Sequence, residues 1–339
     1  MDWRKLLPFM AAVVVIALLV WWAGAEGVAE VLKRSDVVML LLAFLAYFGG
    51  FLTWALRWHV LIESLGLEVR FRDTLAALFI GVLFNNITPG ARGGGEAARV
   101  YYLVKRSSST YGQIFATVTA DRVLDLLPVM AMLLFSAGYV YTKGVTSLFA
   151  VVLVLTLVLA ALTGVATLII TSERRMKKTL YWLFGILLRL IPSRVKKYEE
   201  KFNRAVDVNI PHFTGALKIV IRDRRAFALS TLYSFITWFF VVLRNYLVFL
   251  SLGYHISFLD VMAVQMIATA VGLISVIPGG AGLIEATTSG AYVVLGVTRE
   301  MAVTSSIVDR IISFWLPLVI GMILMSYLGL KPKTARTSS

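Results

Sequence analysis

The residues of this chain with the chemistry to bind or move something are charged side chains set among apolar ones. Arg57, Glu96 and the run Asp121-Arg122-x-x-Asp125 lie in the first half, and Arg244, Glu285 and Asp309-Arg310 in the second. A charge near the centre of a membrane-crossing helix costs about 2.5 to 3.5 kcal/mol on insertion scales, so charges kept there answer one another or line a polar route. Asp121 and Asp125 stand one helical turn apart and share a face while Arg122 points elsewhere, which predicts a network reaching more than one neighbouring helix. Glu96 and Glu285 each follow a segment that cannot continue a helix: Pro89-Gly90, Arg92 and Gly93-Gly94-Gly95 before the first, Pro278-Gly279-Gly280 and Gly282 before the second. The short helices expected from near Gly94 and near Gly282 would offer N–H groups and a dipole that favour an anion. Cysteine is absent and the three histidines are scattered, which leaves no disulfide framework, no zinc or haem cluster and no cofactor to expect.

The elements that must carry these residues are membrane helices. Of 339 residues, 59% are hydrophobic and 15% charged, and the mean hydropathy is +0.83, far too apolar for a soluble domain. Apolar stretches long enough to cross a bilayer, which takes about 20 helical residues, run over 6–24, 37–62, 112–140, 146–171, 226–252 and 301–329. Two more, 74–87 and 259–276, end in the Gly-rich breaks and read as the first arms of re-entrant hairpins. The fold expected is an all-α polytopic membrane protein of about six transmembrane helices plus two re-entrant hairpins, one membrane domain over 1–339. Ala23-Gly24-Ala25 could serve as a signal-peptide cleavage site, but Trp21 and Trp22 end the first apolar run as an interfacial belt does, so that helix is expected to stay.

The two halves repeat each other. Leu56-Arg57, Ser64-Leu65-Gly66, Asp73, Pro89-Gly90, Glu96-Ala97 and Asp121-Arg122 recur in order as Leu243-Arg244, Ser251-Leu252-Gly253, Asp260, Pro278-Gly279, Glu285-Ala286 and Asp309-Arg310, at offsets of 187 to 189 residues. Internal repeats with broken apolar segments mark membrane transporters, whose sites lie where the halves meet. With the N-terminus inside and the hairpins dipping in without crossing, the second span runs inward and its partner, the fifth, outward. The repeat is then inverted: a first copy over 37–171 (hairpin about 74–105) and a second over 226–329 (hairpin about 259–296).

Net charge is +14, concentrated between Ser172 and Arg225, where 14 Lys and Arg stand against 5 Asp and Glu. A loop over 172–225 of that charge belongs on the cytoplasmic side, as do both termini, in a multi-pass protein of the cell membrane. Flanked by spans, the run is read as meeting anionic lipid headgroups rather than nucleic acid, with Tyr181–Ile191 lying in the headgroup layer. A solvated linker that only sets topology is the plainer alternative.

At Asn86 to Arg99, with Pro89, Gly95-Glu96 and Arg99, at Asp121-Arg122-x-x-Asp125, and at Ile277 to Gly282 followed by Glu285, the chain resembles the membrane domain of lysyl-phosphatidylglycerol synthases and its stand-alone flippase-like relatives of bacteria and archaea. The resemblance covers nearly the whole chain. It implies movement of a lipid with a charged or glycosylated headgroup between leaflets; with no soluble aminoacyl-transfer domain read here, lipid aminoacylation is not carried over. Between the halves, Arg92 corresponds to Ala281, Arg99 to Thr288, Asn86 to Ser275 and Asp125 to Ser313, so the extra charges belong to the first. Arg92, Arg99 and the helix start at Gly94 are therefore expected to hold the lipid phosphate, which suits the planar donors of Arg.

Two roles stand open for the intramembrane charges: pinning each hairpin through pairs of Glu96 and Glu285 with Arg122 and Arg310, or with Arg57 and Arg244, and lining a translocation route. A lipid translocase is the leading reading, not an enzyme. No G-x-x-x-x-G-K-[ST] run is present, so transport is passive or ion-coupled, Glu96 or Glu285 being where a proton could move. The alternatives are a secondary transporter of a small anion, an intramembrane enzyme using its paired acids, and a membrane partner of a lipid-modifying or glycosyl transferase.

Overall fold

The structure is a computed structural model that describes residues 7–88, 93–275 and 277–328. It is all-α, with no strand among the described residues. Helix α1 (Leu7–Ala23) meets α2 (Ala25–Lys33) at an 87° bend about Gly24. Asp36 caps α3 (Val37–Glu63), its carboxylate accepting from the backbone N–H of Val38 at 2.7 Å. Next come the short pair α4 (Phe71–Ile87) and α5 (Gly93–Val104), then α6 (Tyr111–Thr142), started by a Thr110–Gln113 capping box, and α7 (Thr146–Ile170). The basic stretch holds α8 (Glu173–Leu190), the single turn α9 (Pro192–Val195) and α10 (Glu199–Arg222). The second half runs through α11 (Arg224–Ser251), α12 (Phe258–Ile274), α13 (Leu283–Val294) and α14 (Arg299–Arg310), which continues through a π turn at Ile311–Trp315 into α15 (Leu316–Leu328).

Among the described residues five helices are long and apolar enough to cross a membrane: α3, α6, α7, α11 and the continuous Arg299–Tyr327; counted as one span, the bent α1–α2 pair brings the number to six. The protein is thus an all-α polytopic membrane protein. Helices α4 and α12, of 17 residues each, pack directly against the short helices that follow them.

Repeated sequence gives repeated local structure. Ser64-Leu65-Gly66 and Ser251-Leu252-Gly253 close α3 and α11, and Gly66 and Gly253 take φ of 67° and 73°, a left-handed conformation costly for any residue with a Cβ. Helices α3 and α11 form the most extensive helix pair in the molecule. Gly50 lies against Phe240, while the hydroxyls of Thr53 and Thr237 are 2.8 Å apart. At the 187-residue offset Gly50 matches Thr237 and Thr53 matches Phe240, so exchanging the halves turns each contact into the other.

The basic stretch, read as a loop with an interfacial helix, is helical over most of its length. Helix α8 takes in Tyr181 to Leu190, and α10 is a packed helix of the bundle, with Val206, Ile210, Phe213, Leu217 and Val220 buried in one cluster with Ala116, Ala120 and Leu124 of α6. Gly112 makes the approach possible: a Cβ there would meet the carbonyl oxygen of Asn209 and the side chain of His212. Apolar residues on one stripe of α10, between charges, never add up to a long apolar window, which is why hydropathy passes over it.

Candidate functional site

In the first half, Asp121 on α6 is the centre of the charged network and is fully buried. Its Oδ1 accepts from Arg57 Nε on α3 at 2.7 Å; its Oδ2 accepts from Arg99 Nη2 on α5 and from the Trp54 indole N–H, both at 3.0 Å. Arg57 reaches one turn along to Asp125 Oδ1 at 2.5 Å and to Ser234 Oγ on α11 at 3.0 Å, so the shared face of the two aspartates is read by a single guanidinium. Arg99 also donates to Glu96 Oε2 at 3.0 Å and stacks over Trp58, its central carbon 4.0 Å from the ring centroid. Arg122, pointing elsewhere as its spacing requires, donates through Nε to Glu96 Oε1 at 2.8 Å and through Nη2 to the same oxygen.

The second half repeats the four-residue core of this arrangement. Arg244 donates to Asp309 through Nε at 2.6 Å and Nη2 at 3.3 Å; Arg310 donates to Glu285 at 2.7 Å and to the Gly279 carbonyl at 3.0 Å. Thr288 replaces Arg99 and joins a hydroxyl cluster, 2.8 Å from Ser306 Oγ, while Ser313 replaces Asp125 and donates to Asp309 at 3.3 Å. Of the two pairings open from sequence, the glutamates take Arg122 and Arg310, and the aspartates take Arg57 and Arg244. Such pairs hold charge inside a bundle because each ion meets an opposite charge and directed donors. Deleting one member strands the other, at a cost of about 3 to 5 kcal/mol.

Between the networks lies a cavity of about 260 Å³, walled by α3, α4, α6, α11, α12, α13, α14 and the π turn. Asn86, Arg122, Asp125, Arg244, Gly279, Asp309 and Arg310 line it. Arg57, Glu96, Arg99, Asp121 and Glu285 stand behind as the layer that holds the lining arginines and aspartates in place. Asn86 donates to the Phe314 carbonyl at 3.4 Å, tying α4 to the π turn. Gly94 and Gly95 belong to the α4–α5 contact, where a Cβ on Gly95 would meet the Gly81 carbonyl oxygen and the Asn85 side chain. Pro278 and Gly280 are buried in the turn before α13. Pro89, Gly90 and Arg92 lie outside the described residues, so the part of the phosphate expectation resting on Arg92 does so too.

Arg99 is a correction. Rather than facing a phosphate it is wholly buried, spent on Glu96, Asp121 and Trp58, and it does not line the cavity. The helix starts are likewise answered internally: the Gly95 N–H donates to Asn85 Oδ1 and the Gly282 N–H to Glu285 Oε2, each at 2.8 Å. The guanidiniums that line the cavity are those of Arg122, Arg244 and Arg310, with Arg122 Nη1 standing 3.9 Å from Asp125 Oδ2. Reading charges alone also passed over Trp54, Trp238, Asn85, Asn245, Gln265 and Tyr292, which line the same space. The available signal was polarity in apolar segments: Gln265 is the lone carboxamide of α12, and Asn245 adjoins Arg244. Among the described residues no group of three His, Cys, Asp or Glu is disposed to hold a metal ion.

The fold and site define a polytopic helical membrane protein with paired charges from two repeated halves around one cavity. Residues 9–321 match the family model described as the lysylphosphatidylglycerol synthase TM region, and the chain belongs to that family. It is 35% identical over 323 residues to a UPF0104 membrane protein of Pyrococcus horikoshii, covering 95% of this chain and 96% of that one. A UPF0104 membrane protein of Methanothermobacter thermautotrophicus is 28% identical over 97% of both chains. A glycosyltransferase of Haloferax volcanii, AglD, is 24% identical over 96% of this chain and 54% of its own length.

Proposed function

We propose that the protein is a lipid translocase: it passes the headgroup of a phospholipid or polyprenyl-phosphate-type lipid between leaflets through the cavity while the acyl or prenyl tails stay in the bilayer. The observation that carries this reading is the trio Arg122, Arg244 and Arg310, contributed by both halves, each held by a carboxylate and each lining the cavity. A phosphate is the natural acceptor for such donors. The family's name and the glycosyltransferase relative support a lipid connection, and a lipid-modifying or glycosyl transferase is the partner class that fits them. The reading is non-enzymatic, and passive or ion-coupled.

In this proposal the α4–α5 and α12–α13 pairs are re-entrant and enter from opposite faces of the cell membrane, with both termini cytoplasmic. The exchange of the Gly50–Phe240 and Thr53–Thr237 contacts supports a twofold relation between the halves, which alternating access requires. The chain has no native cysteine, so single cysteines label cleanly. Glu68→Cys and Ser108→Cys should react from one side, and His255→Cys and Thr298→Cys from the other; flanks of one pair reacting from opposite sides would end the inverted arrangement. Translocation is tested in proteoliposomes with fluorescent phosphatidylglycerol and an external quencher. The protein should expose inner-leaflet label that protein-free vesicles protect, and Arg122→Ala with Arg310→Ala should slow exposure at least tenfold. Label that stays protected with native protein overturns the proposal.

A further inference from the structure

We infer that α8 is a docking surface for the anionic headgroup layer of the bilayer, taking negatively charged lipid by its charge and independently of what the cavity accommodates. Only Thr171 and Ser172 separate α8 from α7, one of the helices long and apolar enough to cross, so its first turn stands at a boundary of the membrane. Helical spacing sorts its side chains into stripes. Met176, Leu180, Leu183, Leu187 and Leu190 follow one another at steps of three and four and share a face. The first two pack into the bundle, Met176 being buried with Ala116 of α6 and with Ile210 and Leu217 of α10. Past them the same stripe runs off the bundle: Leu183 is 46%, Leu187 48% and Leu190 71% exposed. The roll of the helix is fixed by Phe184, whose ring stacks on Phe202 of α10 with centroids 4.1 Å apart and planes 6° from parallel.

A second stripe carries charge. Arg175, Lys178, Trp182 and Arg189 share a face beside the leucines, Arg174 flanks it, and each of them is exposed. Arg174, Arg175, Lys178 and Arg189 form no ion pair with a described residue, whereas Lys177 is spent on Glu173 at 3.2 Å and on Asp207 at 3.3 Å, and Glu173 is the lone acid of α8. Unneutralised cations thus stand along an apolar edge, with an indole at the seam. A nucleic acid or an acidic soluble partner would answer the cations and leave the leucines in water. An anionic leaflet answers both, with acyl chains under the leucines and phosphates on the basic side chains, and each Lys or Arg near such a surface is worth about fivefold in binding.

The test uses the full chain, which has no native cysteine, with bimane attached at Leu187→Cys and the protein reconstituted in vesicles of phosphatidylcholine mixed with phosphatidic acid, a lipid that offers charge without a polyol. Bromine on the acyl chains of one lipid or the other quenches a dye in contact with it. Quenching by brominated phosphatidic acid should report an enrichment of that lipid beside α8 of at least about fivefold over its bulk share. Arg174→Gln, Arg175→Gln, Lys178→Gln and Arg189→Gln together should remove the enrichment and leave quenching by the bilayer as a whole. Quenching by both lipids in proportion to their bulk shares overturns the selection of charge, as does an enrichment that survives the four glutamines. A dye that neither lipid quenches and a water-soluble quencher reaches makes α8 a solvated linker and overturns the proposal. A dye shielded from both overturns it in favour of a protein cover, and nitroxides at the same cysteine would broaden each other if that cover is a second copy.

Discussion

The two halves keep the same four charged residues in the same two pairs, yet the first adds Arg99 and Asp125 where the second has Thr288 and Ser313. The first half thereby ties α3, α5 and α6 through one buried aspartate that accepts from three side chains, while the second joins its helices by the separate pairs Arg244–Asp309 and Arg310–Glu285 and a set of hydroxyls. Charged networks of high connectivity are rigid because every member is over-determined; hydroxyls that can turn to a backbone carbonyl or to a neighbour are not. The first half is the more densely cross-linked wall and the second the one built on hydroxyls.

The sharpest way to break this comparison is at its centre. Asp121→Ala should lower stability by about 3 to 5 kcal/mol, since Arg57 and Arg99 are left buried with one anion fewer. Asp309→Ala should cost at least about 1 kcal/mol less, because it removes the acceptor of one arginine and a serine instead of that of two arginines and an indole; denaturation in mixed micelles measures both, and equal losses would remove the asymmetry. Arg99→Thr, which installs the second half's residue, should cost about 3 kcal/mol by depriving Asp121 and Glu96 of a donor. Adding Val118→Ser, the counterpart of Ser306, should return about 1 kcal/mol through the transplanted hydroxyl pair.

Smaller effects sharpen the same contrast. Gly95→Ala should cost about 1 to 3 kcal/mol by pushing α5 off the Gly81 carbonyl; the second half already holds Ala268 and Ile284 at the matching positions. Least of all, Lys143→Ala, at the end of α6, should cost about 0 to 1 kcal/mol, because its 2.7 Å bridge to Asp260 is part exposed. Burial works against the charged lysine, but its bonds to Asp260 outweigh burial and raise its pKa. The bridge is therefore complete at neutral pH and is lost only as pH climbs beyond the ordinary lysine range, so a titration to pH 9 should leave native and variant protein equally spaced in melting temperature.

Much of this was legible from sequence. The long apolar spans follow from side-chain transfer energies alone, and the duplicated Arg, Glu and Asp-Arg positions announced a paired network. What stayed hidden was partnership. Comparing charges between the halves singled out Arg99 for a phosphate, but it is enclosed by Glu96, Asp121 and Trp58, whereas Arg122 lines the cavity. Burial of that kind depends on which helices meet. Helix α10 was missed for a related reason: its apolar stripe has meaning only against α6. Trp54 and Trp238 read as ordinary membrane aromatics until their indole N–H groups are found on Asp121 and Asp125.

The balance of the ion pairs has an electrical consequence. Three arginines face three acids in the first network and two face two in the second, so the walls sum to zero and a voltage finds nothing in them to push. A monoanionic headgroup passing between them would carry its charge alone, and a potential of 100 mV would bias its crossing by about 2.3 kcal/mol toward the positive side. The resting polarity of the cell would then act as a one-way ratchet, set by the cargo rather than by the protein.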